Sequence, residues 1–165
     1  MVKDSVVMVL DCGGGTVDIT VHKLTCNPDE RFLCEELLPS SGGCQWGSKF
    51  VDMHFEQFLE KFLGSEMFET YKCAAQARLE ILKHFEMQKR KFNPGQDERS
   101  RLQLSYLSEQ LSQSKLDELI AAYNEKVTQE AAESGKPPAV VKRRGASSLE
   151  LPPALMESFF RPLFE

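Results

Sequence analysis

The sequence predicts an α/β fold: three sequential antiparallel strands and a helix, then an α+β second portion. Three observations carry that prediction. A run of three glycines, Gly13-Gly14-Gly15, separates the apolar run Val6–Leu10 from a stretch in which Val17, Ile19 and Val21 alternate with Asp18, Thr20 and His22. A third strand-like run follows the turn-forming Asn27-Pro28-Asp29-Glu30. From Val51 onward the apolar period changes from that of a strand to that of a helix.

The elements follow in order. Residues 4–10, 17–24 and 32–38 are read as strands, the first buried because its apolar run is unbroken and the second half-buried because it alternates. Val51, Phe55, Phe58, Leu59 and Phe62 recur at helical spacing, so a helix begins near Ser48 and ends at Gly64. Residues 66–91 read as one long helix with Phe68, Tyr71, Ala75, Leu79 and Leu82 on its apolar stripe and Cys73 buried beside it; Asn93-Pro94-Gly95 ends it. Leu102, Leu104 and Tyr106 alternate as a strand. Ser114 and Asp117 resemble a capping box, and Leu116, Leu119, Ile120, Tyr123 and Val127 stripe the helix that follows. Residues 130–144 read as an exposed loop entering a strand, with the basic run Lys142-Arg143-Arg144 as solvated surface. Leu149–Leu151 is strand-like, Pro152-Pro153 opens the last helix, and Pro162 kinks or ends it.

Composition narrows the function classes. At 165 residues and 41% hydrophobic the chain can bury a core, and a net charge of −5 argues against nonspecific nucleic-acid binding. Five cysteines, at 12, 26, 34, 44 and 73, are odd in number and contain no C-x-x-C, which indicates neither a disulfide framework nor a zinc site. Free thiols suit a reducing compartment, so a cytoplasmic location is expected. The start lacks a signal-peptide pattern, and no run approaches the ~20 apolar residues of a membrane span. His22, His54 and His84 share no metal-ligand spacing.

The chemistry concentrates in Asp11-Cys12-Gly13-Gly14-Gly15-Thr16-Val17-Asp18. Successive peptide N–H groups in a glycine turn form a donor cluster suited to phosphate oxygens, and the absent side chains, with the positive φ that glycine permits, let a ligand approach. The flanking carboxylates suit a hydrated divalent cation that bridges to phosphate, and Thr16 adds a hydroxyl. No Walker loop occurs, and a strand rather than a helix follows, which excludes a dinucleotide fingerprint.

The Asp-x-Gly-Gly-Gly-Thr-x-Asp pattern resembles the second phosphate motif of the actin-like ATPase fold in the form used by the 70-kDa heat-shock chaperones. Ser41-Gly42-Gly43-Cys44-Gln45-Trp46-Gly47, followed by Asp52, is similar to a glycine loop of the same lobe. Glu86-x-x-Lys89-Arg90-x-x-Asn93 resembles the helical segment that contacts adenine and ribose; its spacing puts all four residues on one helical face. The wording of the first motif, with the late Phe-Phe-Arg-Pro, looks most like the divergent heat shock 70 kDa protein 12 branch. The resemblance implies a ribonuclease-H-like lobe of an actin-like ATPase. Residues 1–46 form the core of its second lobe, 47–152 an outer α+β subdomain, and 153–165 the truncated start of a helix returning to the core. It implies ATP and magnesium as cofactors: Gly13, Gly14, Gly15 and Thr16 on the β- and γ-phosphates, Asp11 and Asp18 on magnesium through water, and Asp11, Thr16 and Asp18 as the catalytic group. Gly42, Gly47, Glu86, Lys89, Arg90 and Asn93 complete the nucleotide site, with Trp46 packed under it. The implied partners are ATP or ADP, the missing first lobe and unfolded client proteins.

Departures are visible. Lys49 stands where the common chaperones carry an acid, and Asn93 where they carry serine. The family's first phosphate loop, catalytic lysine and later adenosine loop have no counterpart, so the chain alone is expected to be a poor ATPase. Two other classes remain open: a lobe of a sugar-kinase-like phosphotransferase, and a non-enzymatic partner-binding fragment with a relic phosphate loop.

Overall fold

The computed structural model describes residues 5–26, 32–38, 46–104 and 112–164. The described residues form a mixed α/β structure with two antiparallel sheets, and the chain divides into two compact units, Met1–Val51 and Asp52–Glu165.

The first unit is a meander of β1 (Ser5–Cys12), β2 (Val17–Cys26) and β3 (Phe32–Leu38), in the order β1-β2-β3. β1 and β2 pair without slip from Ser5↔Leu24 to Cys12↔Val17, so the glycine turn sits at the tip of an unbroken hairpin. A register shift at Val21/His22 bends β2 where it meets β3. The expected burial of β1 is not found: Val6, Met8 and Leu10 are 64%, 64% and 54% exposed, and Val7 and Val9 are exposed as well. An unbroken apolar strand is suited to cover on both faces, and β1 is an edge strand of only three. The unit closes with the first turn of α1 (Lys49–Leu63), which carries the chain into the second unit.

The second unit packs α1, α2 (Ser65–Cys73), α3 (Ala75–Lys91), α4 (Gln113–Ser134) and α5 (Pro153–Phe160) with a small sheet. In that sheet β6 (Ser148–Leu151) lies between β4 (Ser100–Gln103) and β5 (Lys142–Arg144). The core is aromatic. Phe55 stacks flat on Phe85 with ring centroids 3.8 Å apart, and Phe159 meets both edge-on at 5.9 and 5.7 Å. Phe58 and Phe62 continue the α1 stripe against Tyr123 of α4. Leu102, Leu104, Leu149 and Leu151 are fully buried from the sheet side.

Three expectations are corrected here. The long helix over 66–91 is two helices, broken at Ala74 (φ −89°, ψ 81°), whose N–H closes α2 on the carbonyls of Thr70 and Tyr71. The break resets the phase: Phe68 and Tyr71 are buried in α2, but α3 buries Ala77, Ile81 and Phe85, while Leu79 and Cys73 are exposed. No glycine or proline marks the break, so the sequence reads straight through it. The α4 cap is Ser112, not Ser114: its side chain accepts from the Lys115 N–H at 3.2 Å. The helix also continues through the expected loop to Ser134, where Gly135 (φ 67°) supplies the left-handed C-terminal residue. The basic run is exposed, as expected of a solvated surface, and forms strand β5, with Arg143 and Arg144 paired to Asp117 and Glu150 at 3.0 and 2.9 Å. Tyr106 lies outside the described residues.

The stacked Phe55–Phe85 pair joins α1 to α3, and both rings are fully buried. Phe85→Ala is expected to cost about 3–5 kcal/mol in urea unfolding; a loss below about 1 kcal/mol would contradict this assignment of the core.

Candidate phosphate-binding turn

The four-residue tip of the β1–β2 hairpin, Gly13 to Thr16, is closed by the Gly13 N–H donating to the Thr16 carbonyl at 2.8 Å. Its other carbonyls turn toward the start of α1. Ser48 N–H donates to the Gly13 carbonyl at 3.3 Å, Lys49 N–H to Gly14 at 2.9 Å, and Gly47 N–H to Gly15 at 3.2 Å. The first N–H groups of a helix have no partner within it and carry its positive dipole end, so three adjacent carbonyls are a fitting acceptor set.

This clamp fixes where the turn's own donors point. In a trans peptide the C=O and the following N–H point in opposite directions, and no cis peptide occurs among the described residues. With the carbonyls of Gly13, Gly14 and Gly15 drawn toward α1, the N–H groups of Gly14, Gly15 and Thr16 face away from it. No hydrogen bond among the described residues engages them. Three successive outward amides are a donor set of the kind suited to an anion.

The glycines act differently from expectation. Among the described residues the left-handed glycines are Gly64, Gly95, Gly135 and Gly145, so Gly13, Gly14 and Gly15 do not supply positive φ. They supply room. A Cβ on Gly14 or Gly15 would meet nothing within 4 Å, leaving the outward side of the turn open. The close approach is at Gly47, which is buried: a Cβ there would collide with the Gly14 carbonyl group and lie 2.5 Å from the Gly15 carbonyl carbon. Only glycine lets the start of α1 reach the turn.

Asp11 and Asp18 are direct cross-strand partners at the base of the turn. Thr16 Oγ1 donates to Asp18 Oδ2 at 2.9 Å. Like charges opposite one another in a ladder are destabilising, and a cation between them removes that cost. Trp46, expected to pack under the site, is 56% exposed, and Cys12 is exposed. Gly42 lies outside the described residues.

The remaining candidates belong to the second unit. Lys89 is buried at the end of α3, its ammonium 2.7 Å from Asp52 of α1 and 2.5 Å from Glu86. Burial works against that charge, but the bonds to Asp52 and Glu86 outweigh it and hold the lysine pKa above its ordinary value. Glu86 also accepts from Arg90 at 2.7 Å. Hydrogen bonding from Lys89, then from Arg90, pulls the Glu86 carboxyl below its ordinary range. Arg90 itself is 78% exposed. Asn93 does not share their helical face: α3 stops at Lys91, Phe92 is already extended (ψ 128°), and the residue before Pro94 is disfavoured in helix. It lines instead a shallow cleft of about 90 Å³ with Gln88, Lys91 and Arg99. A second cleft of about 210 Å³ lies between α1, α4 and α5 beside His54, whose Nδ1 donates to the Phe159 carbonyl at 3.0 Å. Both are below the ~300 Å³ of an ordinary small-molecule site. Among the described residues no group of three His, Cys, Asp or Glu side chains is placed to hold a metal ion.

Sequence reasoning missed the roles of Ser48, Lys49 and Asp52. The first two act through backbone N–H groups, which side-chain identity does not report. The Asp52–Lys89 pair spans two helices and leaves no spacing signal. The burial of Gly47 had a signal, as the last glycine before a helix start.

Over 88 residues the chain is similar to Heat shock 70 kDa protein 12B of Homo sapiens at 39% identity, and to Heat shock 70 kDa protein 12A of Homo sapiens and of Mus musculus at 38%. The match takes in 53% of this chain and 12% of each relative, so it spans about an eighth of their length. The resemblance to the heat shock 70 kDa protein 12 branch is thus independently found. No family model matches, and no solved structure matches significantly. Among the described residues no helix is long and apolar enough to cross a membrane.

Two outcomes follow from this geometry. Gly47→Ala is expected to lower stability by about 1–3 kcal/mol through overpacking. Gly14→Ala, facing open space without positive φ, is expected to change it by less than about 1 kcal/mol in either direction. Amide hydrogen exchange across β1 and β2 checks both, and equal effects would contradict the clamp. Glu86, with its lowered carboxyl, contributes stability above its unfolded value of 4.5 that is lost as pH falls through the lowered folded value. Glu86→Gln should therefore flatten the fall of the urea midpoint as the pH drops below about 4.5; an unchanged acid limb would assign it to other carboxylates.

Proposed function

We propose that this chain is the phosphate-binding part of a divergent 70-kDa heat-shock-like chaperone ATPase, a lobe of the actin-like fold that holds Mg-ATP through the Asp11–Asp18 hairpin. The observation that carries the reading is the set of three outward N–H groups, of Gly14, Gly15 and Thr16, held in place by the α1 clamp. The similarity to heat shock 70 kDa proteins 12A and 12B supports the class of protein.

In this reading the amides of Gly14, Gly15 and Thr16 donate to the β- and γ-phosphate oxygens, with Gly13 shaping the turn. Asp11 and Asp18, paired across the ladder, hold a hydrated magnesium ion through its water shell. When bound, that ion neutralises phosphate charge, which is most of what phosphoryl-transfer catalysis requires. Asp11 and Asp18 also orient water, and the Thr16 hydroxyl is bonded to Asp18. Gly47 acts through the clamp, and Gly42 is assigned to the nucleotide by the resemblance alone. By the resemblance alone, Arg90, exposed and anchored by Glu86, and Asn93 are assigned to ribose and adenine, while Lys89 positions Glu86 through its buried ion pairs. ATP hydrolysis requires charges from another lobe, and client binding is a property of the whole protein. A reducing, cytoplasmic setting suits the exposed thiols of Cys12, Cys34 and Cys73.

Isothermal titration with ATP, with and without magnesium, tests the reading. Gly14→Val is expected to fold as the parent does, because its Cβ enters open space, and to lower ATP affinity at least about tenfold, by roughly 1.4 kcal/mol. Asp11→Asn is expected to keep metal-free binding and lose most of the gain from magnesium. Parental ATP affinity in Gly14→Val would reduce the glycine turn to a hairpin tip.

A further inference from the structure

The two faces of the first sheet differ in chemistry. Side chains alternate along a strand, and direct cross-strand partners share a face. The register therefore puts Thr20, His22, Cys34 and Glu36 on one face with Asp11 and Asp18, and Val7 and Val9 beside them. The apolar series Val6, Met8, Leu10, Ile19 and Val21 falls on the other. An antiparallel sheet commonly packs one face and leaves the other in water, and the face of Cys34 is the polar one. The exposure of this thiol is thus a property of its own face.

Three side chains stand in line on that face. Cys34 Sγ lies 3.6 Å from His22 Nδ1, and His22 Nε2 lies 2.9 Å from Thr20 Oγ1. The hydrogen bond at one ring nitrogen sets the role of the other. With Nε2–H donating to Thr20 Oγ1, Nδ1 presents its lone pair to the Cys34 S–H. A nucleophile, a base in reach of it and a third group that orients the base are the parts that activate a thiol. The backbone assists. His22 stands opposite Glu36 and Leu24 opposite Cys34, so His22 and Cys34 are diagonal neighbours across β2 and β3. The register shift falls between Val21 and His22, and such bulges re-aim side chains beside reactive groups. Glu36 faces His22 from β3 and Val7 faces it from β1; a carboxylate there offsets the charge of an imidazolium. Cys12 and Cys73 are also exposed but have no imidazole bonded to them among the described residues.

We propose that Cys34 is a thiol–disulfide exchange site served by His22, and that it takes up a low-molecular-weight disulfide. His22 Nδ1 takes the thiol proton as the Cys34 sulfur attacks one sulfur of the disulfide. The new S–S bond forms, the old one breaks, and the departing thiolate leaves with the proton from the imidazolium. One disulfide and one thiol are consumed and one of each is produced, so no further oxidant is needed. An exposed mixed disulfide of this kind is labile, and excess free thiol reverses it.

Timed reaction of the 165-residue chain with hydroxyethyl disulfide, quenched in acid and read by peptide mass spectrometry, tests this. The probe is neutral, so Glu35 and Glu36 do not bias its approach. An ordinary thiol is only a few per cent ionised near neutral pH, which leaves room for Cys34 to react about fivefold or more faster than Cys12. His22→Gln keeps a hydrogen-bonding side chain that cannot take the proton. It should slow Cys34 about fivefold or more and leave the rates of Cys12, in the same sheet, and of Cys73 unchanged, with parental circular dichroism. If His22→Gln fails to fold, the parent in urea decides the question: unfolding should bring Cys34 to the rate of Cys12. Equal rates at Cys34 and Cys12 in the folded parent, a Cys34 rate insensitive to His22→Gln, or an advantage of Cys34 that persists in urea would each overturn the proposal.

Discussion

Three peptide N–H groups at the start of α1 hold three carbonyls of a glycine turn, and the candidate site depends on that contact. It solves two problems at once. The helix start satisfies donors that have no partner in the helix, and the turn gains a fixed orientation that a run of three glycines would otherwise lack. Because each peptide is planar and trans, fixing the carbonyls on one side aims the amides to the other. The contact needs close approach, and Gly47 permits it.

The second unit is held by different means. An aromatic cluster of Phe55, Phe85 and Phe159 ties α1, α3 and α5 together, and a buried lysine bridges α1 and α3 through Asp52. Removing one partner of that pair leaves an uncompensated buried charge, which is costlier than the net worth of the pair. The residues with a resemblance to an adenosine-contacting segment are therefore also structural: Lys89 and Glu86 are committed to ion pairs, and Arg90 projects from them into solvent.

Much of this was legible in the sequence. Alternation and turn chemistry gave all three strands of the first sheet to within a few residues, and the phenylalanine stripe gave α1 and its buried face. The glycine turn was legible as a place, but its mechanism was not: the glycines read as suppliers of positive φ, whereas the structure uses them for room on one side and for close approach at Gly47. The break at Ala74 was not legible, because alanine favours helix and the local sequence carries no breaker. The exposure of β1 was misread for a physical reason. An apolar run reports what a strand is suited to be packed against, and says nothing of whether that layer is part of the chain.

The central claim is that the amides of Gly14, Gly15 and Thr16 form an outward anion site set by the α1 clamp. Proton–nitrogen correlation spectra of the chain, recorded during titration with Mg-ATP and separately with inorganic phosphate, test it residue by residue. The account predicts that the amide signals of Gly14, Gly15 and Thr16 move most, and that those of Gly13, Ser48 and Lys49, already donating within the protein, move least. Shifts spread evenly over the hairpin, or confined to the second unit while the turn stays still, would contradict it.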